Sequence, residues 1–100
     1  MIYITQLIYI REGQQEIFDQ FEAVAIPIIA RYKGRLLFRV RPAAEAYIKS
    51  DIEKPFEIHL VEFQSEEDFR SFMKDEERKN FLHLKEQSIS SVLLYKGEQL

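Results

Sequence analysis

The sequence predicts an α+β fold in which four strands and two helices follow the order β-α-β-β-α-β. Four segments are rich in β-branched and aromatic residues and lack a helical period. Between the first and second, and between the third and fourth, apolar residues recur in steps of three and four, which is typical of a helix. The chain has 100 residues, 46% of them hydrophobic, so we expect a single domain over residues 1–100.

The first strand covers residues 2–10, and the first helix begins near Gln14. The acidic residues Glu16, Asp19 and Glu22 lie in the first half of this helix, where the helix dipole favours them. Gly34 is expected to end the helix in a left-handed conformation. The apolar face of the helix consists of Ile17, Phe18, Phe21, Val24, Ala25, Ile28, Ile29 and Tyr32.

The second strand covers residues 35–41, in which apolar and basic residues alternate until Pro42. A long connection over 43–54 follows, and its sequence does not indicate a role. The third strand covers 56–63 and begins directly after a proline.

The second helix begins after Ser65, because Asp68 stands at the third position expected of a capped helix start. This helix should extend to about Asp75. A charged bend or further helical turns then lead to the final strand, 89–95, and residues 96–100 form a tail.

This order is the split βαβ, or ferredoxin-like, arrangement. Right-handed connections place both helices on one face of a four-stranded antiparallel sheet. The other face should then be polar, yet apolar residues occupy both sides of the first, third and fourth strands. A second copy of the chain would bury this face, in an interface typically above ~2,000 Å². We therefore expect a homodimer.

Charge and composition indicate which partners to expect. The formal net charge is −3, and the five basic residues in 31–41 would be divided between two faces by strand alternation, so no nucleic-acid partner is expected. The longest apolar stretch, 23–30, is shorter than the roughly 20 residues needed to span a bilayer. We expect no membrane partner and a cytoplasmic protein. Without cysteine, and with two histidines far apart, no metal site or cofactor is expected.

Three segments resemble the dimeric α/β-barrel superfamily, above all its small stand-alone members of unknown function. They are 32–39 (YKGRLLFR), 61–65 (VEFQS) and 69–77 (FRSFMKDEE). The resemblance implies a homodimer in which two sheets face each other and close an eight-stranded barrel. Relatives include cofactor-free antibiotic-biosynthesis monooxygenases, haem-degrading monooxygenases, muconolactone isomerases and ligand-sensing regulatory domains, so the fold alone does not choose a function.

Arg39 and Glu62 match an arginine and a glutamate that recur in this branch. If Leu36, Phe38 and Val40 face the helices, alternation places Arg39 on the open face of the sheet, with Glu62 beside it. The pair could then bind a substrate anion or enolate. Alternatively, it forms a structural ion pair at the dimer seam.

His59 is the main candidate for proton transfer, as a catalytic base. It is separated from Val61 and Phe63 by steps of two residues, so all three side chains share one face of the strand. This places His59 under the helices, where relatives keep their ligand cavity. A neutral imidazole there could accept a proton. The alternative is a core histidine bonded to a neighbour, and Glu57 is the other polar side chain on that face.

Tyr32, Phe63 and Phe72 are candidate ligand-binding residues, although aromatic residues at such spacing usually form core. His83 lies in a region comparable to the axial-ligand region of haem-degrading relatives. The chain has no tryptophan and no asparagine before Asn80, so we expect a solvated histidine and no haem.

Two functions remain open. The first is a homodimeric small-molecule-binding protein with an apolar cavity in each subunit, which could be a cofactor-independent monooxygenase or isomerase that takes a small apolar or aromatic ligand. The second is a non-catalytic binding or dimerisation module. A solvent-open cavity of a few hundred Å³ touched by His59 would favour an enzyme. A filled core with His59 bonded to protein would favour the module.

Overall fold

A computed structural model of the chain describes residues 1–100. Short 3-10 turns occur at Ala30–Tyr32 and at Ala44–Ala46, within the long connection. No helix has the length and apolar character needed to cross a bilayer. The strands and helices are β1 (Ile2–Ile10), α1 (Gln15–Ile29), β2 (Gly34–Val40), β3 (Glu57–Phe63), α2 (Glu66–Met73), α3 (Glu76–Asn80), α4 (Leu82–Ser88) and β4 (Ile89–Gly97).

The four strands form one antiparallel sheet in the order β2-β3-β1-β4. This order confirms the predicted ferredoxin-like α+β fold. Each of the central strands β3 and β1 pairs with the other and with one edge strand, because each helical connection carries the chain past a neighbouring strand. The helices cover one face of the sheet, which we call the helix face, and leave the other, the open face.

The core lies between the helix face and the helices. Ile28 is fully buried, and Ile4 and Phe63 each keep 1% of their surface exposed. The ring of Phe63 packs against Phe69 and Phe72 of α2, with ring centroids 5.5 Å apart in both pairs. Apolar burial of this kind fixes α2 on β3.

A β-bulge changes the predicted face of the second half of β2. Leu36 pairs with Val61, but Phe38 pairs with Leu60, so Leu37 is an extra residue in the ladder. The alternation of side chains between the two faces of the sheet is therefore reversed after Leu36. Phe38 turns to the open face, and Arg39 turns to the helix face.

The open face carries exposed apolar side chains on both edge strands. The exposed fractions are 45% for Phe38, 43% for Val40, 39% for Leu93 and 59% for Tyr95. Patches of this kind on a sheet commonly mark an interaction surface.

The second helical segment is divided into three short helices, so the predicted helix is followed by further helical turns. The predicted cap at Ser65 is confirmed, since its Oγ accepts a hydrogen bond of 3.1 Å from the Asp68 backbone N–H. The helix ends at Met73, close to the predicted end near Asp75. Asp75 then caps the start of α3, because its carboxylate accepts a 2.9 Å hydrogen bond from the Arg78 backbone N–H.

The left-handed residue after the first helix is Lys33, with φ 60°, and not Gly34 as expected. Gly34 is required for a different reason. A Cβ at this position would lie 2.6 Å from the side chains of both Ile29 and Phe63. The missing side chain therefore lets β2 start directly against the core.

Candidate functional site

A cavity of about 250 Å³ lies between the helix face of the sheet and the helices. Most of its wall is apolar, with Ile4 and Ile8 from β1, Ala25 from α1, and Val92 and Leu94 from β4. Aromatic rings from α1, β3 and α2 complete this wall: Phe21, Phe63, Phe69 and Phe72. Apolar lining of this kind is usual in small-molecule sites.

Five polar side chains also line the cavity: Gln6, Glu22, His59, Arg78 and Lys85. They come from β1, α1, β3, α3 and α4, so the fold brings them together from distant parts of the sequence. A few convergent polar groups in an otherwise apolar cavity can orient a ligand.

Glu22 keeps only 6% of its surface exposed, and its carboxylate takes part in none of the side-chain hydrogen bonds of the protein. Burial raises its pKa above the usual 4.5, and the negative charge of Glu57 adds to this effect. His59, Arg39 and Arg78 act in the opposite direction. Glu22 is therefore a carboxyl group poised to take up a proton inside an apolar cavity.

Arg78 is equally buried, with 6% of its surface exposed. Its guanidinium carbon lies 5.2 Å from the Phe72 ring centroid and 5.9 Å from that of Phe21, so two aromatic faces hold the cation. Nη1 donates a 3.3 Å hydrogen bond to the Met73 carbonyl, while Nε is buried without an acceptor. Burial lowers the pKa of Arg78, and Glu22 and Asp75 oppose that shift.

Glu22 and Arg78 influence each other electrostatically but form no ion pair within 4.0 Å. Lys85 adds a second cation to the cavity wall, and burial followed by the charge of Arg78 lowers the pKa of this lysine. Opposite charges therefore face one apolar space without neutralising each other by direct contact.

His59 lies on the helix face and lines the cavity, as its parity predicted, and is 3% exposed. Its Nε2 is hydrogen-bonded to Oε2 of Glu57, which has no exposed surface. Glu57 also accepts hydrogen bonds from Arg39 Nε at 2.6 Å and from Arg41 Nε at 2.5 Å. Burial alone would raise the pKa of Glu57, but the hydrogen bonds from His59, Arg39 and Arg41 lower it to about 2.

The predicted Arg39–Glu62 ion pair is wrong, because the bulge in β2 separates the two residues on opposite faces. Arg39 bonds Glu57 and Asp19 at the edge of the helix face. Glu62 instead accepts a 2.9 Å hydrogen bond from Arg35. Neither Arg39 nor Glu62 lines the cavity.

Of the predicted ligand-binding residues, Phe63 and Phe72 line the cavity and Tyr32 does not. The Tyr32 hydroxyl donates a 2.6 Å hydrogen bond to Asp75. His83 is exposed and stacks on Phe81, with ring centroids 6.3 Å apart. No group of three or more His, Cys, Asp or Glu side chains is close enough together to hold a metal ion.

Sequence reasoning did not single out Glu22, Arg78 or Lys85. The helix dipole accounts for Glu22 among the acids of α1, although it lies four residues after Phe18 and three before Ala25 and so falls on the apolar face. An acid at that position in the helical period was the available signal. Arg78 and Lys85 had no comparable signal, since the helix boundaries around them could not be placed.

No protein-family profile matches the chain. No curated protein sequence matches it either.

Several solved structures share its fold. A protein of unknown function from Rhodopseudomonas palustris superposes with a TM-score of 0.83 at 14% identity, covering 99% of this chain and 82% of the other. An uncharacterised NIPSNAP domain protein from Burkholderia xenovorans gives 0.69 at 11% identity, covering 100% and 95%. A proposed antibiotic biosynthesis monooxygenase from Nitrosomonas europaea gives 0.75 at 9% identity, covering 100% and 99%. At these identities the neighbours show that the chain shares their fold, and they do not by themselves assign a function.

Proposed function

We propose that the protein is a homodimeric small-molecule-binding protein that holds one small, largely apolar or aromatic molecule in the cavity of each subunit. The observation that carries this proposal is the 250 Å³ space with apolar walls and a few buried polar groups. An apolar cavity of about 150 Å³ is enough for benzene, so this space suits a bicyclic ring system.

The proposed dimer would bury the open face of the sheet. Phe38 and Val40 on one edge and Leu93 and Tyr95 on the other are exposed in a single chain. A second copy facing this sheet would remove these side chains from water, at a gain of about 25 cal/mol per Å² of apolar surface. This arrangement is also the one that the sequence resemblance implies.

The chemistry that suits the site is proton transfer to or from the bound molecule. Cofactor-independent isomerases and monooxygenases can both begin by removing a proton from an acidic substrate position, and the cavity contains titratable groups without a cofactor-binding motif. The fold neighbour from Nitrosomonas europaea is a proposed monooxygenase, which supports the same class of chemistry.

Ligand binding without turnover is the second candidate. It is favoured by one observation: the Nε2 atom of His59 is already bonded to Glu57. A histidine held in this way can simply complete a buried polar cluster.

The experiment is a fluorescence titration with naphthalene, an apolar bicyclic probe. We expect the wild type to bind it, and Ala25→Phe to bind at least about tenfold more weakly because the new ring fills the cavity. Ala23→Phe is the matched control, since Ala23 is exposed on the same helix. Ala25→Leu provides a smaller filling side chain if Ala25→Phe does not fold. Absence of binding to the wild type, or equal binding by a folded Ala25 variant, would overturn the proposal.

A further inference from the structure

We infer that Glu22 and Arg78 form a proton-acceptor and oxyanion-binding pair, and that the ligand is an enolisable carbonyl compound of bicyclic size. This inference rests on the proposed function, because it requires a ligand in the cavity. It goes further by naming the chemical class of that ligand and the two residues that act on it.

The first reason is that both side chains are buried without a full set of partners. Glu22 accepts no hydrogen bond from the protein, and the Arg78 Nε has no acceptor. Burying a charged group in this way is costly unless another group completes its hydrogen bonds. A ligand in the cavity is the group available to both residues, since both line it.

The second reason is the separation of the two charges. Glu22 and Arg78 interact through space but make no nitrogen–oxygen contact within 4.0 Å. A carbonyl compound presents an acidic C–H and an oxygen on adjacent carbons. One such molecule can therefore place its C–H against the Glu22 carboxylate and its oxygen against the Arg78 guanidinium.

The proton-transfer step balances without a further reactant. The ligand C–H bond breaks, and its proton forms an O–H bond with the Glu22 carboxylate. The C–H electron pair becomes the C=C π bond, while the C=O π pair moves onto the oxygen to give an enolate. The negative charge passes from Glu22 to the enolate oxygen next to Arg78, with Lys85 as a second cation in the wall. Fixed cations that face the developing oxyanion in a low-dielectric space lower the barrier to this step.

Two other candidates already have at least one partner in the protein. His59 Nε2 bonds Glu57, while the Glu22 carboxylate has no protein partner. Arg39 bonds Glu57 and Asp19 and does not line the cavity. Glu22 is thus the carboxylate, and Arg78 and Lys85 are the cations, that face the ligand space with hydrogen-bonding capacity left.

The test uses 2-tetralone, a bicyclic ketone with acidic C–H bonds next to its carbonyl. Its binding is measured by titration, and exchange of its C–H hydrogens in deuterated water is followed by NMR. We expect the wild type to bind 2-tetralone and to accelerate exchange above the protein-free rate. Glu22→Gln, which keeps the shape of the side chain, should lower the protein-dependent exchange rate at least about 100-fold with binding within a few-fold.

Glu16→Gln is the matched control, because Glu16 is exposed on the same helix and its variant should exchange 2-tetralone like the wild type. Arg78→Lys should retain part of the exchange rate, and Arg78→Met should lose it. Binding of 2-tetralone with no accelerated exchange, or full exchange by Glu22→Gln with loss in His59→Asn, would overturn this inference and leave the proposed function standing. Failure of both 2-tetralone and naphthalene to bind would overturn the proposed function and this inference with it.

Discussion

The Nε atom of Arg39 donates a 2.6 Å hydrogen bond to Oε2 of Glu57, whose side chain has no exposed surface. Glu57 also accepts from Arg41 and His59, so one buried carboxylate joins β2 to β3 and positions the imidazole in the cavity wall. Replacing it by an amide would leave three donors to share a single, uncharged acceptor oxygen. The network is therefore central to both the stability of the sheet and the geometry of the cavity.

Glu57→Gln is expected to lower the free energy of unfolding by about 2–3 kcal/mol at neutral pH. The pKa of Glu57 is lowered in the folded protein from 4.5 to about 2. The contribution of ionised Glu57 to the free energy of unfolding is therefore present above pH 4.5. It is lost as the pH falls towards 2. Urea denaturation of wild type and variant at several pH values should show the difference shrinking over this range. Glu45→Gln, at an exposed position in the long connection, should show no such change.

The stability of Glu22→Gln relative to the wild type is expected to increase with pH, which is opposite to the trend for Glu57→Gln. Burial raises the pKa of Glu22 in the folded protein, so ionisation favours the unfolded chain as the pH rises above 4.5. The charged groups that act on it are His59, Arg39, Glu57, Arg78 and Lys85. Urea denaturation should show Glu22→Gln becoming progressively more stable than the wild type over the pH range that begins at 4.5 and extends upward. A constant difference over that range would contradict the placement of a buried, unpaired carboxyl group.

Phe38→Glu should convert the proposed dimer into a monomer. The substitution places a charge on the apolar open face, where its desolvation would oppose association. Sedimentation velocity at micromolar concentration should show a dimer for the wild type and a monomer for the variant. Gln20→Glu introduces the same charge on an exposed position of the helix layer and should remain dimeric. A monomeric wild type would contradict the proposed assembly.

Tyr32→Phe should lower the melting temperature by a few degrees without changing ligand binding. The variant lacks the hydroxyl that donates to Asp75, the residue that caps α3, and the pKa of Asp75 should rise because this bond is the main cause of its lowered value. The phenyl ring of the variant would keep the packing of Tyr32 on Phe72. Thermal denaturation and naphthalene titration measure the two effects. Weaker naphthalene binding by the variant would indicate that Tyr32 is a ligand-binding residue.

The fold and part of the site could be predicted from the sequence because both depend on periodicity. Strand alternation placed His59 with Val61 and Phe63, and all three line the cavity. The same rule failed for Arg39, since one extra residue at Leu37 reverses the parity of the rest of β2. A bulge leaves little trace in a single sequence.

The remaining site residues depend on how distant segments pack. Arg78 enters the cavity from α3, a five-residue helix whose start is fixed by the Asp75 cap. Its partner in the cavity, Glu22, lies more than 50 residues earlier in the chain. Sequence spacing could not indicate that these two charges face one space.

The most direct test of the account is diffraction from crystals soaked with 2-tetralone. We expect electron density for the ring system in the cavity between Phe63 and Ala25, with the carbonyl oxygen directed at Arg78 and the acidic carbon next to Glu22. Density for the compound on the open face of the sheet, or none in the cavity while the compound binds in solution, would contradict the assignment of the cavity as the ligand site.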